Sequence, residues 1–527
     1  MAPRAFNYIK NQPEHQYCTG AIIELMSRVL FRVGFIAVLI FSFILASWFV
    51  IHGDVEFSAD IARDFHLLRE LDEKKIVLIG PRSSTGLFHG PLWTYVNYPA
   101  FLVGNGNPIA VGWGWVALAS AFIASCFFIA RDLFGKSTAY IFTIMTAIYA
   151  AYHAHAMYNP HGAMFLIPTF FYLFVKYVRT DKPIYLVSNI ILGALITQFQ
   201  MALGIPLIVL SLFYFTYHCF KKKNFKHLGF FLILPILLSN FIVFDLRHNH
   251  ILLMKLTDFV GTKSEGQAYN YLPLVKDRIN VMLTGVEIIR TDRLGYLNFI
   301  MLAITFFLIY VQIKDKKNRD IYFAFLYFYF GFYAVSFINK GPILYFYTFP
   351  VFPLVFLIFS SLITSRYKNF FVILLGVILV LNIRSGIGDI ATSKSIIGNS
   401  IYSWKFLNGI SQKVFQEDAQ EFGYFVYAPD AFAYPAKYAL MYESKQHNKN
   451  ASYFTKKAIT YVIAEPPPLN NPHMKSDWWI INQVNIKAKP AATTVFPNGY
   501  EIRKYNLTSE EISVPFDPAI DPGLNFR

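Results

Sequence analysis

Two carboxylates and a guanidinium stand close together in the stretch FSADIARDFHLLREL, residues 57–71, directly after a long apolar segment. Asp60 and Asp64 are four residues apart and Arg63 is three residues from Asp60, so on a helix these charges would be neighbours. A positioned carboxylate can take a proton from a hydroxyl, and a guanidinium can bind an anionic leaving group. The same spacing fits an ordinary ion pair on a helix surface, or a helix N-terminus capped by Ser58 or Asp60. Spacing alone leaves both interpretations open.

The elements that must position these residues are membrane helices. Of the 527 residues, 55% are hydrophobic, 18% are aromatic and only 15% are charged. Several apolar runs of roughly 17 to 25 residues are long enough to cross a hydrocarbon core of about 30 Å. The sequence therefore predicts an integral membrane protein. We predict about eleven spans, at residues 30–51, 108–130, 137–156, 162–178, 184–199, 201–220, 228–245, 295–313, 321–338, 342–362 and 369–385.

Lys and Arg collect in short cytoplasmic loops, which makes their distribution a test of orientation. Alternate loops carry the basic stretches RDLFGK, KYVRTDK, KKKNFK, KDKKNR and SRYK, while the short turns between them contribute only Lys340. This pattern predicts a cytoplasmic N-terminus. It also predicts that two long loops, residues 52–107 and 246–294, and the tail from about residue 386 lie on the outer side of the membrane.

Several kinds of site and partner are not expected. The net charge of +15 is explained by basic residues that mark the cytoplasmic side and contact anionic membrane lipids, so no nucleic acid partner is predicted. None of the three cysteines, Cys18, Cys126 and Cys219, lies in an exported segment, which argues against a disulfide framework. His153 and His155 are two apart and would point to different sides of a helix, so no metal site is predicted. No Walker or nucleotide-binding pattern is present, and we expect no nucleotide-sugar pocket.

The tail differs in composition from the spans. YFVYAP and ITYVIAE are short β-rich runs, PAKYALMYES suits a helix, and TTVFPNGYEIRKY is typical of a hairpin with Asn498 and Gly499 in its turn. We therefore expect three parts in this chain. They are a cytoplasmic segment at 1–28, an all-α polytopic membrane domain at 29–385, and a small extracytoplasmic α/β domain at 386–527.

The motif D-I-A-R at residues 60–63, followed after roughly 25 residues by H-G-P-L at 89–92, resembles the first exported loop of the GT-C glycosyltransferases. The likeness is greatest to the bacterial branch related to protein O-mannosyltransferases and the aminoarabinose transferase of lipid A. In that family an acidic residue and an Arg form a D-E-x-R pattern, and a basic residue precedes P-P-L. Ile61 replaces the second acid here, and His89-Gly90 replaces the basic residue and the first proline. These departures leave Asp60 as the better match and weaken a phosphate-binding role for His89.

The resemblance implies an inverting enzyme that takes a sugar from a polyprenyl-phosphate carrier at the outer face of a bacterial inner membrane. It needs no cofactor beyond that lipid-linked donor, and its acceptor, a glycan, a lipid or a protein, stays open. The predicted site residues are Asp60 as the general base, Arg63, Arg82, His89, Arg247 and Lys340 as ligands of the donor phosphate, and Asp64, Tyr158 and Asn159 as substrate-binding residues. Two of these have a second interpretation: Asp64 would instead hold Arg63, and Arg247 would simply pair with Asp245.

Other classes of protein remain as alternatives. A lipid-linked sugar carrier or flippase would bind the donor without transferring its sugar, and it would be expected to show charges within the spans and an internal repeat, neither of which is evident. A non-catalytic assembly protein would use the exported tail to bind partners. A polymerase or ligase that moves whole glycans would share the motifs of the first loop.

Overall fold

The computed structural model describes residues 14–83, 86–261, 271–284, 286–290, 295–314, 316, 318–338, 341, 343–416, 421–447 and 449–521. The first half of the membrane body contains eight helices. They are α1 (Glu14–Ile51), α2 (Ala59–Lys74), α3 (Leu92–Val103), α4 (Pro108–Phe134), α5 (Lys136–His153), α6 (Asn159–Thr180), α7 (Pro183–Phe199) and α8 (Met201–Lys222). The second half is more broken. It contains α9 (Ile233–Leu237), α10 (Ser239–Arg247), α11 (Ile251–Gly261), α12 (Tyr271–Thr284), α13 (Gly295–Lys314), α14 (Arg319–Val335), α15 (Tyr345–Thr348), α16 (Phe352–Ser361) and α17 (Lys368–Ile396).

Each predicted span falls on helical structure, but not every one meets the criteria for a membrane-crossing helix. Within the described residues, eight helical segments are long and apolar enough to cross a membrane, and the pair Phe225–Leu237 and Ser239–Arg247, bent by 45°, would be a ninth. Helix α7 is apolar but has only 17 residues. Helix α5 is buried along nearly its whole length and packs against α1, α4 and α16, so it needs little lipid-facing apolar surface.

The stretch TQFQM, which the sequence left as either two tight helices or one broken helix, separates two antiparallel helices. Gln200 alone breaks the helical path, with extended φ and ψ of −148° and 100°. Gly204 allows the close return of α8, because a Cβ at this position would lie 2.2 Å from Thr197 Oγ1. The direction in which each later helix crosses the membrane depends on this one-residue turn.

The helices have two distinct ends. At one end the ion pairs Arg179 with Asp320 and Lys176 with Asp132 link the basic loops. At the other end the elements from α18 onward form a small sheet domain. We call this second end the domain side, without assigning it to a face of the membrane.

The sheet domain confirms the predicted α/β tail. It contains α18 (Trp404–Gln416), β1 (Glu421–Tyr427), α19 (Tyr434–Gln446), β2 (Asn450–Tyr453), β3 (Ile459–Ala464), α20 (Ser476–Trp479), β4 (Ala492–Val495), β5 (Glu501–Asn506) and α21 (Ser509–Ser513). The five strands form one sheet in the order β2-β1-β3-β5-β4, with β1 parallel to β2 and β3. The predicted hairpin joins β4 to β5, and Gly499 adopts a positive φ of 88° in its turn.

A buried carboxylate joins the sheet domain to the membrane body. Asp54, at the end of α1, is fully buried and accepts hydrogen bonds from the backbone N–H groups of Gly398 and Lys405 and from Ser403 Oγ at 2.6 Å. Beside it, Phe57 N donates to Tyr402 O at 2.7 Å. The domain is therefore hydrogen-bonded directly to the start of the loop that contains Asp60.

Candidate functional site

Helix α2 carries the acid and base groups that the sequence singled out, and the structure brings them into contact. Arg63 Nη1 donates to Asp60 Oδ1 at 2.8 Å, while Arg63 Nη2 and Nε donate to Asp64 Oδ1 at 3.0 and 3.1 Å. Ser58 occupies the N-cap position, but its side chain makes no capping hydrogen bond. The helix-surface ion pair is therefore present, and it is extended by a second carboxylate.

The two carboxylates differ sharply in their surroundings. The side chain of Asp60 is 70% exposed, whereas that of Asp64 is completely buried. Burial raises the pKa of the Asp64 carboxyl to about 7, although the Arg63 guanidinium acts in the opposite direction. Asp64 Oδ2 has no hydrogen-bond partner among the described residues. Asp60 can therefore meet a substrate directly, and Asp64 cannot in this conformation.

An apolar groove of about 180 Å³ lies on the His89 side of this cluster. Its walls come from Ser83 and residues 87–89 of the first loop, from the start of α8 and from the end of α14. Burial, with a further effect of the Arg63 charge, lowers the pKa of His89 to about 4. The groove therefore combines an apolar lining with a neutral imidazole that lies within electrostatic reach of Arg63.

A larger, polar cavity of about 590 Å³ lies where α5 is connected to α6. Tyr158 lines this cavity, and burial together with the nearby charges of Glu56 and Asp60 raises the pKa of its hydroxyl. Further polar lining comes from Glu287 and Arg290, while residues of α5, α16 and α17 form an apolar floor. Such a lining suits a molecule that has a polar head and an apolar part.

Two buried asparagines hold the segment that carries Arg290. The Asn298 side chain donates to Ile289 O at 2.8 Å and accepts from Ile289 N at 2.7 Å. Asn382 accepts from Arg290 N at 2.9 Å and donates to Ile288 O at 3.0 Å. The Arg290 guanidinium lies 3.9 Å from the centre of the Tyr152 ring. Sequence reasoning missed this segment, although a cation in an exported loop was an available signal.

The other predicted phosphate ligands lie around the first loop. Arg82 is exposed, and its neighbour Ser83 lines the groove. Arg247 is exposed one turn after Phe244, whose ring packs on Phe88 at 5.5 Å. Asp245 bonds to His250 and to the backbone of residues 252 and 253, rather than to Arg247. Lys340 lies outside the described residues.

Asn159 and the nearby histidines complete the predicted set. Asn159 begins α6, and its side chain is buried. His153 Nδ1 lies 3.1 Å from His161 Nε2, and His155 Nε2 lies 3.7 Å from Glu56 Oε2. His153 and His155 thus have different partners, as their spacing indicates. In the part of the chain that the structure describes, no three potential metal ligands converge.

The fold is similar to that of proteins of known structure, although no protein-family model matches the sequence and no curated protein shows significant sequence similarity. ArnT from Cupriavidus metallidurans, solved bound to undecaprenyl phosphate, superposes with a TM-score of 0.56 at 12% identity, covering 91% of this chain and 98% of its own. Its apo structure gives a TM-score of 0.57 at 11% identity, covering 92% and 99%.

A more distant similarity is to the Archaeoglobus fulgidus oligosaccharyltransferase in complex with Zn and sulfate. It has a TM-score of 0.44 and 10% identity, covering 89% of this chain and 73% of its own. The superposition on ArnT extends over nearly the whole of both chains, including the sheet domain. The expected fold, an all-α polytopic body followed by a small α/β domain, is therefore confirmed, and it is similar to the fold of ArnT.

Proposed function

We propose that this protein is a membrane glycosyltransferase that moves a sugar from a polyprenyl-phosphate carrier to an acceptor hydroxyl, with Asp60 as the general base. The observation that carries this proposal is the exposed carboxylate of Asp60, held by Arg63. The charge of Arg63 acts on His89 in the lining of the apolar groove, and the charge of Asp60 acts on Tyr158 in the lining of the polar cavity. The similarity of the fold to ArnT, which binds undecaprenyl phosphate in its solved structure, supports the class of donor.

The groove suits the carrier. A polyprenyl chain has no hydrogen-bonding groups, and the groove presents mainly apolar side chains from α8 and α14. Its phosphate would lie beside His89 and Arg82, with Arg247 at the end of α10 and Lys340, which follows α14 in the sequence, as further ligands. The polar cavity, with Tyr158 and the neighbouring Asn159, would then bind the acceptor. In this proposal Asp60 acts on both substrates.

The reaction follows from this arrangement. Asp60 takes the proton of the acceptor hydroxyl as its oxygen attacks the anomeric carbon of the sugar. The bond from that carbon to the phosphate oxygen breaks, and polyprenyl phosphate leaves with the bonding electrons. Guanidinium groups in a poorly hydrated cleft stabilise the charge that develops on the phosphate. Attack from the side opposite the leaving group inverts the configuration, and we place this reaction at the outer face of a bacterial inner membrane.

The proposal is tested by transfer of a labelled sugar from a polyprenyl-phosphate donor, using purified protein in nanodiscs with pools of glycan, lipid and protein acceptors. We expect Asp60→Asn to lower the rate by about 10² to 10⁴, because an amide cannot take the proton. Asp72→Asn is the matched control, since Asp72 lies on the same helix but bonds to Tyr98 and Lys75. Full activity of Asp60→Asn would refute the proposed base. A donor that binds and is never consumed would favour a carrier.

A further inference from the structure

We infer that Asp64 is a positioning residue that fixes Arg63 and, through Arg63, the carboxylate of Asp60. This inference rests on the proposed function, because it assigns a role within the same site. The sequence left two interpretations of Asp64 open, holding Arg63 or binding the sugar. Complete burial of the Asp64 side chain separates it from any substrate in the groove or in the cavity and favours the first.

The geometry of the guanidinium explains how one carboxylate can position another. Arg63 binds Asp64 Oδ1 through Nε and Nη2, which together define one edge of its planar group. With that edge fixed, Nη1 points in a single direction, and it is this nitrogen that holds Asp60 Oδ1 at 2.8 Å. An exposed aspartate would otherwise exchange between rotamers. The chain of contacts therefore runs from the protein interior to the reacting carboxylate.

The buried carboxylate of Asp64 lowers the stability of the folded protein. A buried charge is costly unless it is fully paired, and Asp64 Oδ2 has no hydrogen-bond partner among the described residues. A local cost of this kind, in which only one of the two carboxylate oxygens is hydrogen-bonded, is typical of a residue that serves a site rather than the fold.

The charged and titratable groups near Asp64 on α2 are Asp60, Arg63 and His66. The charge of Arg63 also acts on His89 of the returning loop and on Tyr434 of α19, while Lys437 of α19 acts on His66. Burial keeps both imidazoles neutral, with pKa values of about 3 for His66 and about 4 for His89. On α3, Tyr95 is bonded to Val77, and Tyr98 to Asp72. Near pH 7 neither imidazole therefore changes charge, whereas Asp64 does.

The first test is the kinetics of Asp64→Asn in the full-length protein. Because Arg63 would lose its anchor, we expect kcat to fall by about 10- to 100-fold while KM for the donor stays within about twofold. Wild-type kcat should rise as the pH increases through about 7, where Asp64 loses its proton, and the variant should lack this step. In an Arg63→Gln background, adding Asp64→Asn should change nothing further. Asp72→Asn again serves as the control on the same helix.

The second measurement is independent of activity. The folded pKa of Asp64 lies above its unfolded value of about 3.9, so this residue's contribution to stability is lost as the pH rises from about 4 to about 7. At pH 8 the Tm of Asp64→Asn should therefore be no lower than that of the wild type. A lower Tm, with kcat falling in proportion to the folded fraction, would make Asp64 merely structural.

The possible failures are distinguishable. Wild-type kcat in Asp64→Asn would overturn the positioning role and leave the proposed function intact. A raised KM with unchanged kcat would instead return Asp64 to the substrate-binding role. If the wild type transfers no sugar to any acceptor, the proposed function fails. The dependence of Tm on pH would then still decide whether Asp64 ionises in its buried contact with Arg63.

Discussion

His89 occupies the position where the GT-C pattern has a basic residue, yet burial beside Arg63 lowers the pKa of its imidazole to about 4. Above pH 5 it is neutral and can offer a phosphate one hydrogen bond but no charge. We therefore expect His89→Gln, which keeps a donor, to leave KM for the polyprenyl-phosphate donor within about twofold. His89→Ala should raise it several-fold, equivalent to about 1 kcal/mol.

The pH dependence of that KM separates a hydrogen bond from a charge. Between pH 5.5 and 8 the difference between His89→Ala and the wild type should stay constant, because the imidazole does not titrate in this range. Arg82→Gln is the comparison, since it removes a permanent charge at the edge of the groove. If KM for the donor rises as the pH passes about 6.5 in the wild type but not in His89→Gln, a charged His89 binds the phosphate.

The residues of α2 could be found from sequence because they are neighbours along one helix. Helical spacing alone places Asp60 beside Arg63 and beside Asp64, which follow it by three and four residues. Arg290 is different, because its position in the cavity depends on Asn298 and Asn382, which come from two other helices. Contacts of this kind are long-range and cannot be deduced from one sequence. The complete burial of Asp64 was equally hidden, because it depends on tertiary packing.

At the scale of elements, the joint between α1 and the segment before α18 depends on Asp54. Its carboxylate accepts bonds from the backbone of Gly398 and Lys405 and from Ser403 Oγ, and both oxygens are used. An amide at this position cannot accept with both of its ends, so Asp54→Asn should leave buried donors unpaired. We expect the free energy of unfolding to fall by about 1 to 3 kcal/mol, measured as a lower Tm in detergent.

Limited proteolysis would show whether the loss of stability in Asp54→Asn occurs at the joint between α1 and the sheet domain. In Asp54→Asn, cleavage within residues 397–403 should accelerate, releasing the sheet domain from the membrane body. Ser403→Ala is the graded comparison, because it leaves the bonds from Gly398 N and Lys405 N to Asp54 in place. It removes the hydroxyl that donates to Asp54 and accepts from Gly398 N and Phe406 N. An unchanged Tm and an unchanged cleavage rate in Asp54→Asn would show that packing of α19 on α2 alone holds the domain.

Local sequence patterns predicted the secondary structure of the tail but not the arrangement of its strands in the sheet. Short β-rich runs predict β1 and β3, and Asn498-Gly499 predicts the turn between β4 and β5. The parallel pairing of β1 with both β2 and β3 joins strands that are distant in sequence, so no local signal specifies it. In the membrane body, hydropathy predicts α5 as a span, although most of its residues are buried within the protein. Hydropathy does not distinguish a helix surrounded by lipid from one surrounded by protein.

At the scale of the whole molecule, the basic loops and the sheet domain lie at opposite ends of the helices, and the excess of Lys and Arg predicts that the basic end faces the cytoplasm. Leu469 is fully exposed in the sheet domain, and Lys226 is exposed in the basic loop after α8. The test uses the Cys18→Ser variant, because the two remaining cysteines, Cys126 and Cys219, are buried. In this background we expect an impermeant maleimide to label Leu469→Cys in right-side-out vesicles. Lys226→Cys should react only after the membrane is opened. The reverse pattern would place Asp60 on the cytoplasmic face, where the donor would have to present its sugar before export.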